Sequence, residues 1–197
     1  MRSLTRARRA LAAIAVLAAA CGRGDAPASD AGADAGPRPA PPLRIAQAAG
    51  PVFDLAAERG RVVLVFFGYT PCPDVCPTTL ADFSAVRRNL GPRAERVRFV
   101  FVTVDPARDT PALTAQYARG FDRSFVGLST DSASLAPILR GFGVGAWREP
   151  GGTDSTYTVA HTASVFVVDP AGRVREPVRW GAARADDLLR AVERALE

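Results

Sequence analysis

The stretch that decides the fold is RVVLVFFGYTPCPDVCPTTL, residues 61–80. Residues 61–70 are dominated by β-branched, aliphatic and aromatic side chains, which is typical of a central strand buried on both faces. A turn crowded with prolines follows, and residues 78–91 then carry apolar side chains at helical spacing and stop at a glycine. The stretch therefore predicts a buried strand that leads through a tight turn into a helix.

The rest of the chain extends this alternation. We expect strands at 51–55, 96–105 and 125–130, helices at 109–121, 131–143 and 184–196, and a hairpin at 162–180. Thr110 and Pro111 suit the N-cap and the first position of the helix that they open. Strands that alternate with helices indicate an α/β fold, and the closing hairpin makes its sheet mixed. The predicted architecture is thioredoxin-like, a central mixed sheet flanked by helices.

The first 42 residues do not read as part of a folded domain. Residues 1–21 combine a basic start, an apolar run of about ten residues and a small-residue run, the pattern of an export signal. The run LAAA before Cys21 is similar to a lipoprotein signal, which predicts acylation of Cys21. Cleavage after Ala20 and an uncleaved anchor are the alternatives. Residues 22–42 are rich in Ala, Gly, Pro, Ser and Asp and predict a disordered tether.

The chain thus divides into an export signal (1–21), a tether (22–42) and a thioredoxin-like domain (43–197). Each alternative for the leader places the domain outside the cytoplasmic membrane. We therefore expect a membrane-anchored protein on the extracytoplasmic face of the bacterial cell envelope.

The charge does not favour a nucleic acid partner. Four of the 25 basic residues lie in the leader, and the remaining 21 face 20 acidic residues. No basic stripe with interleaved aromatic residues is present in the sequence, so we expect no nucleic acid binding.

The cysteines leave one pair inside the predicted domain. Of three cysteines, Cys21 is assigned to the anchor, and Cys72 and Cys76 remain. A disulfide between them closes too short a loop to stabilise the fold much, which favours a reactive role. Residues four apart share one side of a helix, with Cβ atoms about 5–6 Å apart, so the sulfurs can form a bridge or hold one ion. A redox-active pair and a metal-binding pair both remain open.

His161 is the sole histidine of the chain. A lone histidine is more often structural than a ligand, but the strand that follows His161 starts where a thioredoxin-like fold faces its cysteine turn. Thiolates select soft metals, and imidazole suits copper and zinc. Closed zinc sites normally take four protein ligands. Two sulfurs and one nitrogen therefore suit Cu(I), and Cu(II) can be held with a fourth contact from water or a carboxylate.

Three motifs in order resemble the Sco/SenC family, the copper chaperones of cytochrome c oxidase assembly. They are FFGYTPCPDVCP at 66–77, DPARDTP at 105–111, and YTVAHT at 157–162 followed by DPAG at 169–172. The likeness covers roughly residues 45–195. Two positions depart from many relatives, Pro71 before the first cysteine and Ala160 before the histidine. Neither departure removes a potential ligand.

The resemblance implies that Cys72, Cys76 and His161 bind copper. It implies delivery to the dinuclear copper centre of cytochrome c oxidase subunit II by a non-enzymatic carrier. The alternative is a thiol–disulfide reductase that keeps the cysteines of that centre reduced, served by a thiol reductant. A third hypothesis is a thiol-based redox sensor or peroxidase-like protein.

Two carboxylates are candidates for supporting the site. Asp74, between the cysteines, is expected first as a helix N-cap and second as a neighbour of the ligands. Asp105 ends a core strand near the site and can tune its charge, while the rest of DPARDTP is expected to act chiefly as a turn and a cap. Pro77 disfavours helical geometry at Cys76. We therefore expect the helix to begin around residues 74–77, with Cys72 in the preceding turn.

Overall fold

The computed structural model describes residues 36–175, 177–179 and 185–197. The predicted export signal, the acylation site Cys21 and the tether up to residue 35 lie outside the described residues. Within the part of the chain that is described, no helix is long and apolar enough to cross a membrane.

The described residues form eleven short or medium strands and four α-helices. The strands are β1 (Arg38–Pro39), β2 (Arg44–Ile45), β3 (Phe53–Asp54), β4 (Val62–Gly68), β5 (Val97–Thr103), β6 (Val126–Leu128), β7 (Ala146–Arg148), β8 (Val159–His161), β9 (Ser164–Val168), β10 (Arg173–Val174) and β11 (Val178–Arg179). The helices are α1 (Val75–Leu90), α2 (Pro111–Phe121), α3 (Ser132–Phe142) and α4 (Ala185–Leu196), and 3₁₀ turns occupy Leu55–Glu58 and Gly91–Arg96.

The central sheet is mixed, with β4 near its middle. Its strand order is β1-β10-β9-β4-β5-β6, and β11 also pairs with β9. Strands β4, β5 and β6 run parallel, whereas β9 runs antiparallel to β4. All seven residues of β4 are buried, which explains its unbroken apolar sequence. The predicted α/β architecture with a central mixed sheet is confirmed.

Helices cover both faces of β4. Phe66 lines a small cavity together with residues of α1 and α4, and its neighbour Phe67 packs against Phe142 of α3 at a ring separation of 5.2 Å. Successive residues of a strand point to opposite faces of the sheet. The alternation of Phe66 and Phe67 therefore places α1 and α4 on one face and α3 on the other.

The helix starts follow the sequence closely, with one difference. The hydroxyl oxygen of Thr110 accepts a hydrogen bond from the Leu113 N–H, and Pro111 is the first residue of α2, as predicted. Helix α1 begins at Val75, within the predicted range of 74–77, and Cys72 lies in the preceding turn; the difference is that Cys76 is helical although Pro77 follows it. A proline in the first turn removes an N–H that has no partner within the helix, so it is tolerated there.

The ordered domain begins earlier than the boundary predicted at residue 43. Strand β1, inside the predicted tether, pairs with β10, and the Ala40 N–H donates to the Gly172 carbonyl at 3.0 Å. Pairing to a sheet edge uses backbone groups and needs no apolar pattern. Composition alone therefore places the end of the tether too late.

Candidate metal centre

The two cysteines lie where β4 passes into α1. Cys72 is half-buried in the turn, and its N–H donates to the Tyr69 carbonyl at 3.2 Å. Cys76 lies in the first turn of α1 and is 0% exposed. Gly68 ends β4 against this sulfur, because a Cβ added at Gly68 would come within 2.6 Å of it. The fold therefore presents one accessible sulfur and one enclosed sulfur.

His161 reaches the cysteines from a separate hairpin. Strands β7 and β8 form their own two-stranded sheet, in which Ala146 lies opposite His161. The end of β8 is fixed by Thr162, whose N–H donates to the Gly145 carbonyl at 2.9 Å. The imidazole packs edge-on against the ring of Tyr69, with centroids 5.9 Å apart. The ring is thereby held by aromatic packing beside the cysteine turn.

The imidazole turns its Nε2 atom toward the sulfurs. His161 Nε2 lies 3.7 Å from Cys76 Sγ, while Nδ1 lies 3.3 Å from the Thr162 carbonyl oxygen. In the tautomer with its hydrogen on Nδ1, the ring donates to that carbonyl and Nε2 offers its lone pair to an ion; in the tautomer with its hydrogen on Nε2, the ring can donate to a thiolate instead. A backbone partner on one ring nitrogen is how ligating histidines in proteins are usually oriented.

The structure brings together the three side chains that the sequence singled out. One ligand atom from each of Cys72, Cys76 and His161 lies within 4.8 Å of the other two. Both cysteines are free thiols. Two sulfurs and an imidazole nitrogen at this separation can close around one soft metal ion after small side-chain movements. The same dithiol can also exchange with a disulfide.

The two thiols differ strongly in acidity. The hydrogen bond from the Cys76 thiol lowers the pKa of Cys72 to about 3, helped by His161 and by the backbone N–H groups of Asp74 and Cys76, while burial opposes the shift. The pKa of Cys76 is raised, because Cys76 donates that hydrogen bond and is buried. Cys72 is therefore the thiolate of the pair and Cys76 the thiol.

This asymmetry predicts selective alkylation. In the reduced, metal-free protein, we expect iodoacetamide to modify Cys72 before Cys76. Since the lowered pKa keeps Cys72 ionised, its rate should stay nearly constant between about pH 5 and 8, where an ordinary thiol reacts roughly tenfold faster per pH unit. Peptide mass spectrometry at several pH values measures both rates, with Cys72→Ser as the control that isolates Cys76. A tenfold rise per pH unit at Cys72 would contradict the prediction.

The two predicted supporting carboxylates have different roles in the structure. Asp74 takes the N-cap position of α1, but its side chain makes no capping hydrogen bond and is exposed, so its contribution to the site is its backbone N–H. Asp105 is 5% exposed, accepts the Tyr157 hydroxyl at 2.7 Å and pairs with Arg108. Its carboxylate is bound by these two side chains and not by the three candidate ligands.

Asp109 is a site residue that sequence reasoning missed. It is 0% exposed, and its carboxylate accepts the Thr70 N–H at 2.8 Å and the Thr103 hydroxyl at 2.6 Å. Thr70 lies two residues before Cys72. The Asp109 carboxylate therefore stabilises the turn that carries Cys72. The sequence feature that could have identified Asp109 is its place as the second acidic residue, after Asp105, in the short loop that follows a buried strand.

Most of the chain is similar to proteins that are already known. The family model described as SCO1/SenC matches residues 34–197. A protein of Stutzerimonas stutzeri named "Putative copper-binding protein" is 30% identical over 161 residues, which are 81% of this chain and 78% of that protein. The structure described as Bradyrhizobium japonicum ScoI with copper bound is 35% identical, with a TM-score of 0.71 over 80% of this chain and 99% of that chain.

A more distant likeness concerns the fold alone. A thioredoxin-family thiol:disulfide interchange protein from Chlorobium tepidum matches with a TM-score of 0.56 and 24% identity, over 84% of this chain and 100% of that chain. This match confirms the predicted thioredoxin-like architecture. Alignments to SCO2 homologues and SCO2-like proteins span 41–65% of each relative's own length, so the chain covers less than two thirds of those proteins.

Proposed function

The chain belongs to the SCO1/SenC family, and from that premise we propose that its folded domain is a copper carrier that holds one ion on Cys72, Cys76 and His161. The observation that carries the proposal is the convergence of the three ligand atoms within 4.8 Å of one another on a reduced cysteine pair. The copper-binding descriptions of the Stutzerimonas and Bradyrhizobium relatives support the choice of metal.

The donor set itself favours copper over zinc. Two thiolates and one imidazole form a soft, three-ligand set, which suits Cu(I), whereas closed zinc sites take four protein ligands. Binding requires Cys76 to lose its proton, so loading releases a proton to solvent. Cu(II) can be accommodated by the same three side chains with one further oxygen contact.

The proposed recipient is the dinuclear copper centre of cytochrome c oxidase subunit II. This assignment rests on the family and gives the protein a carrier role without enzymatic turnover. The half-buried Cys72 supports it physically, because an incoming thiolate of the recipient can reach the ion from that side while Cys76 stays enclosed. We further propose that acylated Cys21 anchors the domain on the outer face of the cytoplasmic membrane, near such a recipient.

A reductase is the second candidate, favoured by the paired Cys72 thiolate and Cys76 thiol. The Cys72 thiolate would attack a partner disulfide and form a mixed disulfide, releasing one partner thiolate. Cys76, after losing its proton, would attack the Cys72 sulfur and release the second partner thiol. The partner gains two electrons and the Cys72–Cys76 pair becomes a disulfide, which a thiol reductant must reduce again.

Copper stoichiometry separates the two candidates. For residues 22–197 in the reduced state, we expect one copper ion per chain and, after addition of Cu(II), a thiolate-to-copper charge-transfer band. Oxidation of the dithiol to a disulfide should abolish binding, because it removes both sulfur ligands. Absence of stable copper together with rapid reduction of a disulfide substrate would refute the carrier and favour the reductase.

A further inference from the structure

The two halves of the site belong to different sheets, which raises the question of what fixes the distance between them. The cysteines follow β4 of the central sheet, whereas His161 ends β8 of the separate hairpin. The loop between β5 and α2 makes two sets of contacts, one with the cysteine turn and one with the segment that precedes His161.

The first contact holds the cysteine turn. The buried Asp109 carboxylate accepts the Thr70 N–H at 2.8 Å through Oδ2 and the Thr70 hydroxyl through Oδ1. Thr103 donates to the same Oδ2 at 2.6 Å, and the backbone carbonyl of Asp109 accepts the Ser129 hydroxyl at 2.6 Å. Asp109 is therefore fixed to β5 and to the segment after β6, and it holds Thr70, two residues from Cys72.

The second contact holds the segment that leads to His161. Asp105 accepts the Tyr157 hydroxyl at 2.7 Å. Arg108, paired with Asp105, donates to the Tyr157 carbonyl at 2.7 Å and stacks its guanidinium 3.5 Å from the centre of the Tyr157 ring. Tyr157 is thus held at both its hydroxyl and its backbone, four residues before His161.

The two contacts share one rigid turn. The Asp109 N–H donates to the Asp105 carbonyl at 2.9 Å, and the Arg108 N–H donates to the same carbonyl at 3.2 Å. A displacement of this turn would move both contacts together. We propose that residues 105–109 are a positioning element that sets the separation between the cysteine pair and His161. The inference rests on the proposed copper function for its purpose, but its geometry can be tested on metal-free protein.

The test uses one variant for each contact and one readout for each half of the site. Asp109→Asn puts an amide NH₂ in place of one acceptor oxygen and should loosen the Thr70 turn. Tyr157→Phe removes only the hydroxyl that Asp105 accepts. The Cys72 alkylation rate reports on the cysteine half. The imidazole NMR signals report on the other half without overlap, because His161 is the sole histidine of the chain.

We expect a crossed pattern in residues 22–197. Because the imidazole packs on Tyr69, beside Thr70, neither readout is fully isolated from the other. Asp109→Asn should change the Cys72 alkylation rate more than the imidazole shifts, and Tyr157→Phe should do the reverse. Both variants should lower Cu(I) affinity roughly 10- to 100-fold, as loss of supporting contacts around ligands does in other metal sites. If Asp109→Asn does not fold, Thr70→Val tests the same contact from the cysteine side.

Asp122→Asn is the matched control, since Asp122 accepts from Ser124 and pairs with Arg87 in another turn. It should lose stability without moving either readout. Unchanged readouts in both variants, or equal changes of both readouts in each, would overturn the positioning role. If the wild-type protein bound no copper but the variants still gave the crossed pattern, the proposed copper function would be refuted. The positioning role of residues 105–109 would still be supported.

Discussion

Cys76→Ser is expected to lower the Cu(I) affinity of the reduced protein by about 100- to 1000-fold. Apparent binding free energies of roughly 10–16 kcal/mol for four-ligand structural zinc sites correspond to about 2.5–4 kcal/mol per ligand, and 1.4 kcal/mol is a factor of ten. A serine hydroxyl keeps the size and hydrogen-bonding capacity of the side chain but is a poor ligand for a soft ion. The fold should persist, because a hydroxyl at this position can still donate toward Cys72.

Cys72→Ser and His161→Ala should weaken binding to a similar degree, since each removes one of three ligands. Competition with a Cu(I)-specific chelator measures the affinities, and thermal unfolding confirms that each variant is folded. Thr158→Ala is the control for His161→Ala, because Thr158 lies exposed near the start of β8 and its hydroxyl donates to Glu149. Copper affinity unchanged in His161→Ala would exclude the histidine as a ligand.

Gly127→Ala is expected to destabilise the domain by about 3 kcal/mol or more, as overpacking at a site that cannot yield does. Gly127 lies in the middle of β6, opposite Phe101 of β5. A Cβ at this position would lie 2.1 Å from the Thr114 carbonyl oxygen and 2.8 Å from the Ala115 Cα. These are backbone atoms of α2, so the helix as a whole would have to move away from the sheet.

The expected loss corresponds to a fall in Tm of roughly 6–12 °C for a domain of this size. Gly120→Ala is the matched control, because Gly120 lies in α2 itself and a Cβ there meets nothing within 4 Å. That substitution should raise stability by about 0.5–1 kcal/mol through the better helix propensity of alanine. Calorimetry on both variants tests the pair, and a Gly127→Ala domain as stable as wild type would show that α2 is not seated against β6 as described.

The sequence predicted the parts of the fold that depend on local pattern or strong burial. The apolar run of 61–70 yields β4, and Thr110 with Pro111 opens α2 as expected. The hairpin of β7 and β8 was not predicted. Its strands are three residues long, and Trp147 in β7 is 62% exposed, so neither length nor alternation marks them. Pairing between such segments is decided by the tertiary structure.

At the site, the identity of the three converging side chains could be predicted, but not their environment. Spacing alone makes Cys72 and Cys76 equivalent, whereas the hydrogen bond that Cys76 donates to Cys72, together with the deeper burial of Cys76, makes Cys72 the thiolate and Cys76 the thiol. Asp109 could not be distinguished from a solvated turn residue, because its burial depends on Thr70, 39 positions earlier in the chain. Long-range contacts of this kind leave no local pattern in the sequence.

The positions of the three side chains in the sequence also determine the order in which they are synthesised. His161 follows Cys76 by 85 residues. At a synthesis rate of about 5–20 residues per second, the imidazole emerges roughly 4–17 s after the thiols. During that interval the growing polypeptide has its sulfurs but neither the hairpin that carries His161 nor β9, the antiparallel neighbour of β4. The proposed three-ligand site is therefore complete only after residues through His161 have been synthesised and folded against the cysteine turn.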